Sequence, residues 1–413
     1  MSSSTRVARP RSGAGALFGP AFVAAVAYVD PGNFATNFQA GAQFGYLLVW
    51  VVITASIMAM FIQYLSAKMG LASGKDLPTL CRESFPRPVV WMLWVQAEIV
   101  AMATDLAEFV GAAIGLNLLF GVPLFPATMA TAVISFAILA LQRRGYRLFE
   151  MAIIFLLALV AFGFCYQVLA GGHQSPSAFA TGLLPAFQGS ESVVLAVGIV
   201  GATVMPHVIY LHSALTAARP RPVDTAERRS FLRMLRTDCV LGLGLAGVIN
   251  VVMLCVAVVV FNRMGHGNVF DGSLQAAHAG LERTVSGAAA LAFAVALLSS
   301  GLSSSGVGTY AGQIIMQGFI ARRIPLFVRR AATMAPALVV LAVGVPPDTV
   351  LIASQVVLSF GIPFALIPLV LLTRRRDVMG DLVNERITSW GGAAAALLIS
   401  VLNLYLLGQI FLA

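Results

Sequence analysis

The sequence predicts an all-α polytopic membrane protein with eleven transmembrane helices, of which the first and the sixth are broken. Of its 413 residues, 59% are hydrophobic and only 10% are charged, and the mean hydropathy is +0.89. Soluble domains carry about 25% charged residues, so soluble classes are excluded. Apolar runs of about 20 residues lie at roughly 14–40, 46–69, 89–117, 123–141, 150–171, 192–216, 235–261, 285–317, 328–345, 348–372 and 388–411.

The first apolar run has one competing interpretation, a secretory signal peptide. Three arginines within Arg6–Arg11 precede it, and the small residues Ala25–Ala27 resemble a cleavage site. However, Asp30 and Pro31 interrupt the run, and the many later spans need no separate signal. We therefore expect a retained first transmembrane helix.

The distribution of basic residues predicts the orientation of the chain. With a cytoplasmic N-terminus, 24 of the 26 lysines and arginines fall inside, and only Arg263 and Arg283 fall outside. This positive-inside pattern accounts for the net charge of +9 without a nucleic-acid partner. An odd number of spans then places the C-terminus outside. Arginine outnumbers lysine 24 to 2 and Asn-x-Ser/Thr sites are absent, which fits a bacterial inner membrane.

The four cysteines do not indicate a disulfide framework or a zinc site. None of them forms a CxxC pair, and three of them lie in apolar runs. They are Cys81, Cys165, Cys239 and Cys255.

The first predicted helix is interrupted by Asp30-Pro31-Gly32-Asn33. Pro31 has no N–H and should leave the carbonyl of Ala27 without a helical partner, while Gly32 permits local unwinding. Irregular backbone at membrane depth is tolerated only inside the protein or beside a cavity, and an acid there indicates function. The alternative is a short loop or re-entrant turn without chemical meaning.

The sixth predicted helix contains a matching break. Pro206 should free the carbonyl of Ala202 in the same way. Broken helices five spans apart enter the membrane from opposite sides, and such pairs mark the midplane site of secondary transporters built from inverted repeats. We therefore expect one transmembrane domain over residues 1–413, with inverted repeats at about 14–171 and 192–372 and a final helix at 388–411. Random proline kinks are the alternative.

Together the two breaks offer a ligand set for a cation. It consists of the Asp30 carboxylate, the Asn33 carboxamide, the Met205 thioether and the freed carbonyls of Ala27 and Ala202. Oxygen ligands alone suit Mg²⁺ or Ca²⁺, whereas a thioether favours softer transition metals such as Mn²⁺ or Fe²⁺. Methionine also fills gaps in cores, which is the competing explanation of Met205.

The third span carries three acids, Glu98, Asp105 and Glu108, on one broad helical face. Each acid at a helix centre costs roughly 2.5–3.5 kcal/mol on insertion scales. Relays of acidic and histidine side chains within the membrane are typical of proton-coupled transporters, so we predict that the three acids form a buried proton route. The alternative is structural pairing with arginines, for one or two of the three.

Further polar residues accompany the breaks. His207 follows the second break and suits protonation linked to metal binding, whereas His212 is assigned a structural role because it lies about 140° around the helix. Gln63 and Gln355 are amides within spans and could face the cavity, as could Pro31, Gly32 and Pro206 at the breaks themselves. Arg329 and Arg330 begin the ninth span, where they either receive protons or follow the positive-inside rule.

At these residues the chain resembles the Nramp family of proton-coupled divalent metal transporters, and its bacterial manganese-transporter branch in particular. The resemblance covers nearly the whole chain. The family often has asparagine where Val208 stands here, which removes one polar group near the second break. A magnesium-transporting offshoot replaces the methionine that is Met205 here. The motifs that carry the resemblance are Asp30-Pro31-Gly32-Asn33, Ala202-Thr203-Val204-Met205-Pro206-His207, Thr104-Asp105-Leu106-Ala107-Glu108 and Ser354-Gln355-Val356-Val357-Leu358-Ser359-Phe360-Gly361.

The resemblance implies the inverted-repeat fold of LeuT-type sodium symporters. It implies that proton transfer involves Asp30, His207, Asp105 and Glu108, with Arg329 and Arg330 as a basic pair. It also implies metal binding by Asp30, Asn33, Met205 and the carbonyls of Ala27 and Ala202, joined in some states by Gln355.

We therefore expect proton-coupled import of Mn²⁺, and also of Fe²⁺ and similar ions, by alternating access. The expected partners are these ions, protons and the lipid bilayer, without a cofactor, an enzymatic activity or an obligate protein partner. An amino-acid or organic-cation symporter of the same architecture is the nearest alternative. A membrane-embedded hydrolase is a further alternative, but the sequence contains no HExxH or GxSxG motif. A passive channel is the last alternative, and its transport would not depend on pH.

Overall fold

The computed structural model describes residues 19–144, 146–171, 174–219, 225–264, 273–322 and 324–412. In these ranges every regular element is a helix. Arg6–Arg11 and the start of the first predicted span lie outside the described residues. The α-helices are α1 (Pro20–Ala27), α2 (Pro31–Phe44), α3 (Val49–Ser73), α4 (Leu77–Ser84), α5 (Arg87–Phe120), α6 (Leu124–Arg144), α7 (Tyr146–Gly171), α8 (Pro176–Thr181), α9 (Gly189–Thr203), α10 (Pro206–Ala217), α11 (Thr225–Met264), α12 (Leu274–Thr284), α13 (Gly287–Ile320), α14 (Leu326–Val343), α15 (Pro347–Thr373), α16 (Arg376–Met379) and α17 (Arg386–Leu412).

Helices stand at all eleven predicted positions. The first and sixth are broken, into α1 with α2 and α9 with α10, as predicted. In the described ranges, seven helical segments are long and apolar enough to cross a membrane by themselves, with α9 and α10 counted as one. Shorter apolar stretches lie within α6 and α7. The polytopic α-helical class is thus confirmed, whereas the repeat boundaries 14–171 and 192–372 stay a prediction.

The main differences from the predicted spans lie at helix ends and in connections. Helix α11 begins at Thr225, ten residues before the apolar run near 235, because backbone hydrogen bonds continue a helix through polar sequence. Four short helices, α4, α8, α12 and α16, lie between the spans and were not predicted. They are too short to show a clear apolar period.

Small residues bring α5 and α13 into close contact. A Cβ atom added to Gly301 would lie 2.8 Å from the Cβ of Ala112 and 2.9 Å from the carbonyl oxygen of Glu108. One added to Gly115 would lie 2.8 Å from the backbone nitrogen of Leu298. Small residues allow such backbone approach between membrane helices. The acidic helix α5 is therefore packed tightly against α13.

Both helix breaks lie against the same neighbouring helices. A Cβ added to Gly111 of α5 would lie 2.0 Å from the Cβ of Pro31, so the first break rests on α5. Helix α15 touches both breaks through Gln355. A Cβ on Gly32 would lie 1.9 Å from Nε2 of Gln355, and a Cβ on Gly201 would lie 1.9 Å from its carbonyl oxygen. This packing brings α2 and α9 together around α15.

Candidate metal-binding site

The first break is a helix end followed at once by a capped helix start. Helix α1 ends at Ala27, and Pro31 is the first residue of α2, where a missing N–H is tolerated. Asp30 is the N-cap, and its Oδ1 accepts a hydrogen bond of 2.8 Å from the backbone N–H of Asn33. Oδ2 of Asp30 is buried and has no partner among the described residues. One carboxylate oxygen therefore remains for a ligand.

Two carbonyls of the break are bound by side chains from other helices. Nδ2 of Asn250 in α11 donates to the carbonyl of Tyr28 at 2.8 Å, and the hydroxyl of Ser300 in α13 donates to the carbonyl of Val29. For Ala27, the described residues supply no hydrogen-bond donor, since Pro31 stands at the position of its helical partner. The carbonyl of Ala27 is thus the one that the break leaves available.

The second break repeats this arrangement. Helix α9 ends at Thr203, and Pro206 begins α10 after Met205 at the N-cap. The backbone of Met205 is extended (φ −74°, ψ 118°), and its side chain is fully buried. The carbonyl of Ala202 again faces a proline four residues later. Both predicted breaks and their geometry are therefore present.

The side chain of Asn33 joins the two breaks. With its amide nitrogen directed at them, Asn33 donates to Oδ1 of Asp30 at 2.7 Å and to the carbonyl of Ala202 at 3.1 Å. A half-turn of the same amide would put its oxygen beside these two oxygens instead, and three such oxygens can be held together by a cation. Residues of α2 and α9 therefore meet at a point suited to a cation.

Solvent does not reach this set of residues. Each of them is at most 1% exposed. Within the described ranges, no cluster of three or more His, Cys, Asp or Glu side chains could hold a metal by itself. A cation at the breaks would therefore depend on amide, thioether and carbonyl groups besides one carboxylate. The buried set consists of Ala27, Asp30, Asn33, Ala202, Met205 and Gln355.

Gln355 adds a further oxygen at the same place. Its side chain lies on Gly32, as described above, and its Nε2 donates to the hydroxyl of Ser354 at 3.1 Å. Its Oε1 is buried without a partner in the described part of the chain. The amide oxygen of Gln355 is thus free to join a ligand set.

Two of the three acids on α5 are paired with arginines of α14. Glu98 binds Arg329 through two hydrogen bonds of 2.7 and 3.1 Å, and Asp105 binds Arg330 at 2.7 Å. Pairing with arginines was the alternative to a proton route for one or two of the three acids, and the structure shows it for Glu98 and Asp105. Arg329 and Arg330 are not free basic groups at the start of α14.

Glu108 is the exception among the acids of α5. It is 1% exposed, and neither carboxyl oxygen has a hydrogen-bond partner in the described residues. A Cβ added to Gly308 of α13 would lie 3.0 Å from both oxygens, so only a glycine leaves room for the carboxyl group. Glu108 also lies within electrostatic reach of Asp30, Asp105 and Arg330. Glu108 is therefore close enough to interact electrostatically both with Asp30 of the first break and with the Asp105–Arg330 ion pair.

The two histidines of α10 contact different helices. Nδ1 of His207 lies 3.2 Å from the hydroxyl of Thr104 in α5, and that hydroxyl donates to the carbonyl of Val100. Nδ1 of His212 lies 3.0 Å from Oε1 of Gln63 in α3, whose Nε2 donates to the hydroxyl of Tyr28. In both cases the partner accepts, so Nδ1 carries a proton, and in the neutral imidazole Nε2 carries none.

One buried acid that supports the first broken helix was missed in the sequence. The carboxylate of Asp238 in α11 accepts hydrogen bonds from the backbone N–H groups of Gly19 (3.2 Å) and Ala21 (3.0 Å) and so holds the start of α1. Asp238 is a single acid in an apolar stretch, which is the same signal that identified Asp30. Asn250 and Ser300, which bind the carbonyls of the break, carried no such signal.

Comparison with known proteins extends over the whole of this site. The family model described as natural resistance-associated macrophage protein-like (Nramp) matches residues 21–409. The chain is 51% identical over 394 residues to the divalent metal cation transporter MntH of Deinococcus radiodurans, covering 95% of this chain and 90% of that protein. It is 50% identical over 398 residues to the protein of the same name from Bacillus subtilis, covering 96% and 92%.

Two solved structures resemble this chain, one in both sequence and fold and the other in fold. A crystal structure of the Eremococcus coleocola manganese transporter superposes with a TM-score of 0.85 at 33% identity, over 98% of this chain and 89% of that one. Mhp1, a nucleobase-cation-symport-1 family transporter, superposes with a TM-score of 0.65 at 16% identity, over 93% and 86%. The second similarity concerns the fold alone.

Proposed function

The chain belongs to the Nramp family, and on that premise we propose that it imports divalent transition-metal ions together with protons by alternating access. It is a multi-pass membrane transporter and not an enzyme. The relatives are named divalent metal cation transporters, and the solved structure is named a manganese transporter. Mn²⁺ is therefore the first substrate of the proposal, with Fe²⁺ and similar ions beside it.

The observation that carries the proposed metal site is the bridge made by Asn33. Its amide lies 2.7 Å from Oδ1 of Asp30 and 3.1 Å from the carbonyl of Ala202, so one side chain reaches both breaks. In the proposal the amide oxygen turns to the metal, and Asp30 binds it as a carboxylate. The remaining ligands are the Ala27 carbonyl, the Met205 thioether and, in some states, the Gln355 amide.

The thioether sets the expected selectivity. Sulfur adds little for Mg²⁺ or Ca²⁺, which prefer oxygen ligands, and more for softer transition metals. Met205 is fully buried at the break, where its sulfur is shielded from water. Binding through Met205 would therefore favour Mn²⁺ and Fe²⁺ over the more abundant hard cations.

Glu108 is the proposed first station of the proton route. Asp30 must lose its proton to bind a cation, and Glu108 is the unpaired carboxyl group within electrostatic reach of it. From Glu108 the proton passes towards Asp105, whose ion pair with Arg330 continues the buried line along α5. His207, with an unprotonated Nε2, is a second proton acceptor near the second break, and Glu98 with Arg329 completes the line.

The proposed orientation follows the basic residues of the sequence. The N-terminus is cytoplasmic, the C-terminus is outside, and the membrane is that of a bacterial cell. Metal enters from outside, and the parts of α1, α2, α9 and α10 beside the breaks move to open one side at a time. The extended residues between the helices permit such movement without rebuilding the bundle.

Transport into proteoliposomes tests the proposal. Mn²⁺ uptake driven by an inward proton gradient should be lost in Asp30→Ala and retained in Asp377→Asn, because Asp377 lies on the surface. Uptake by Asp30→Ala at the wild-type rate would overturn the metal site. Uptake at the same rate with and without the pH gradient would indicate a channel. Binding of an amino acid without binding of metal would indicate the alternative symporter.

A further inference from the structure

A small basic cavity lies at the junction of α15 and α17, separate from the metal site. Its volume is about 160 Å³, which is room for a few waters or one phosphate group. On the proposed orientation it opens on the cytoplasmic side. The residues that line it are Arg374, Asn384, Arg386, Ser389, Trp390 and Ala393.

The two arginines of this cavity have no carboxylate partner in the described part of the chain. Their neighbours on the same surface differ, since Arg375 pairs with Asp377 and Arg228 pairs with Asp381. Glu385 is the nearest acid in sequence, but it does not line the cavity. The cavity therefore carries two uncompensated positive charges, on Arg374 and Arg386.

Asn384 adds an unused donor to the lining. Its Oδ1 accepts a hydrogen bond of 2.9 Å from the ammonium group of Lys68. An ammonium can only donate, so this bond fixes the amide with its nitrogen turned away from Lys68. Asn384 is 9% exposed, and its Nδ2 has no acceptor among the described residues. A buried donor of this kind calls for an acceptor from outside the chain.

The chemistry of the lining suits a phosphate ester. Guanidinium groups bind phosphate oxygens through paired hydrogen bonds. The amide of Asn384 and the hydroxyl of Ser389 supply further donors, and none of the described residues that line the cavity is a carboxylate.

The surroundings of the cavity indicate a lipid as the source of that phosphate. Arg386 is the first residue of the membrane-spanning part of α17, and Trp390 stands one turn further in. Trp390 is 75% exposed and Ile387 is 84% exposed. Tryptophan prefers the headgroup level of a bilayer, and exposed apolar residues on a spanning helix face the acyl chains. A soluble anion has no acyl chains with which to contact the exposed apolar residues Trp390 and Ile387.

We propose that this cavity binds the phosphate group of an anionic phospholipid. Arg374, Arg386 and Asn384 hold the phosphate oxygens, and Trp390 with Ile387 contacts the glycerol and the upper acyl chains. Basic pockets between membrane helices on the cytoplasmic side bind anionic headgroups in this way. The bound lipid would connect the end of α15, which carries Gln355, with the peripheral helix α17.

The test uses the purified full-length protein in a neutral detergent. Native mass spectrometry measures binding of phosphatidylglycerol, with phosphatidylcholine as the zwitterionic comparison. Thermal unfolding is followed with the same lipids, with glycerol 3-phosphate and with inorganic phosphate. The variants are Arg374→Gln/Arg386→Gln and Asn384→Asp, and Arg375→Gln is the matched control because it removes one neighbouring charge outside the cavity.

The wild type should bind phosphatidylglycerol in preference to phosphatidylcholine, and only the lipid should raise its unfolding temperature. The double variant should bind it about thirtyfold more weakly, from about 1 kcal/mol for each arginine at an anionic surface. Asn384→Asp keeps the contact with Lys68, so it should fold normally and yet lose the lipid by repulsion. Arg375→Gln should behave as the wild type.

Three results would overturn the proposal. One is equal phosphatidylglycerol binding by the wild type and by folded Asn384→Asp. Another is an equal loss in Arg375→Gln, which would indicate general surface charge instead of the cavity. The third is equal stabilisation by inorganic phosphate or glycerol 3-phosphate, which would assign the cavity to a soluble anion.

Discussion

Oδ1 of Asp105 and Nη1 of Arg330 lie 2.7 Å apart in the interior of the protein, although the two residues are 225 positions apart in the chain. The arginine is 1% exposed and the aspartate 4%. The guanidinium also lies over the ring of Phe109, 4.5 Å from its centroid, and donates to the hydroxyl of Ser305. Both charges are therefore compensated inside the bundle.

Removing one partner of this pair should destabilise the protein strongly. Asp105→Ala leaves a buried guanidinium without its carboxylate, which costs about 3–5 kcal/mol. The double variant Asp105→Ala/Arg330→Met should recover much of that loss, because it leaves no unpaired charge. Thermal and denaturant unfolding in detergent would measure both.

The exposed pair of Lys75 and Glu83 is the control for that measurement. Its atoms also lie 2.7 Å apart, but both side chains are nearly half exposed. Glu83→Ala should therefore cost no more than about 1 kcal/mol. Equal destabilisation by Asp105→Ala and Glu83→Ala would contradict the assignment of a buried ion pair.

Glu108→Gln should separate proton transfer from folding. The carboxyl group has no hydrogen-bond partner in the described residues, so the isosteric amide should fold and bind Mn²⁺ like the wild type. It cannot carry the proton of the proposed route, and acidification driven by metal uptake should fall by about 100-fold or more, as expected from the roughly 10²–10⁴-fold contribution of a proton-transfer group. A pH-sensitive dye inside proteoliposomes would measure it beside a Mn²⁺ binding isotherm. Unchanged acidification would exclude Glu108 from the route.

Met205→Ala should change selectivity between metals. Without the thioether the remaining proposed ligands are oxygens, so Mg²⁺ and Ca²⁺ should compete better with Mn²⁺. Competition of Mn²⁺ uptake by these ions would show the change. Both this variant and Met69→Ala lose about 2–5 kcal/mol of stability from the cavity they create. Met69 is fully buried in α3 away from the breaks, and its variant should keep the wild-type competition profile.

The two glycines beside Gln355 should respond differently to substitution. In Gly32→Ala the new methyl group meets Nε2 of Gln355 at 1.9 Å, and a side chain can move aside. In Gly201→Ala it meets the backbone carbonyl of Gln355 at 1.9 Å, and α15 itself would have to shift. We expect folded but weakly transporting Gly32→Ala, partly restored by Gln355→Ala, and loss of folded protein in Gly201→Ala.

Expression and size-exclusion profiles would measure these effects, with Mn²⁺ uptake for the folded variants. Gly408→Ala is the control, since nothing lies within 4 Å of its added methyl group and alanine suits a helix. A Gly201→Ala protein as stable as the wild type would contradict the close packing of α15 on α9.

The helices and both breaks could be predicted because they depend on local sequence. Runs of apolar residues give the eleven positions, and Pro31 and Pro206, which have no N–H, each remove a helical hydrogen bond at the point where their span is interrupted. The three acids of α5 could likewise be placed on one face from their spacing. The ends of α11 could not, since the helix continues from Thr225 through polar sequence.

The partners of the site residues could not be predicted, because they come from distant parts of the chain. The spacing of acids on α5 does not show that Asp105 pairs with an arginine while Glu108 pairs with none in the described part of the chain. That difference depends on where α14 packs. Asn250 and Ser300, whose side chains donate to backbone carbonyls of the first break, are ordinary polar residues in α11 and α13. Only the folded chain distinguishes the Ala27 carbonyl from its two neighbours.

The amide of Asn33 presents a donor on one side and an acceptor on the other, and this bears on the return half of a transport cycle. A carrier that achieves net uptake must reset without cargo after each delivery. With its nitrogen towards Asp30 and Ala202, Asn33 holds the breaks together by hydrogen bonds alone. With its oxygen there, the same residue needs the ion. In the proposed cycle, one rotation of this amide would let the unloaded carrier close, and it would separate accumulation of metal from one-for-one exchange across the membrane.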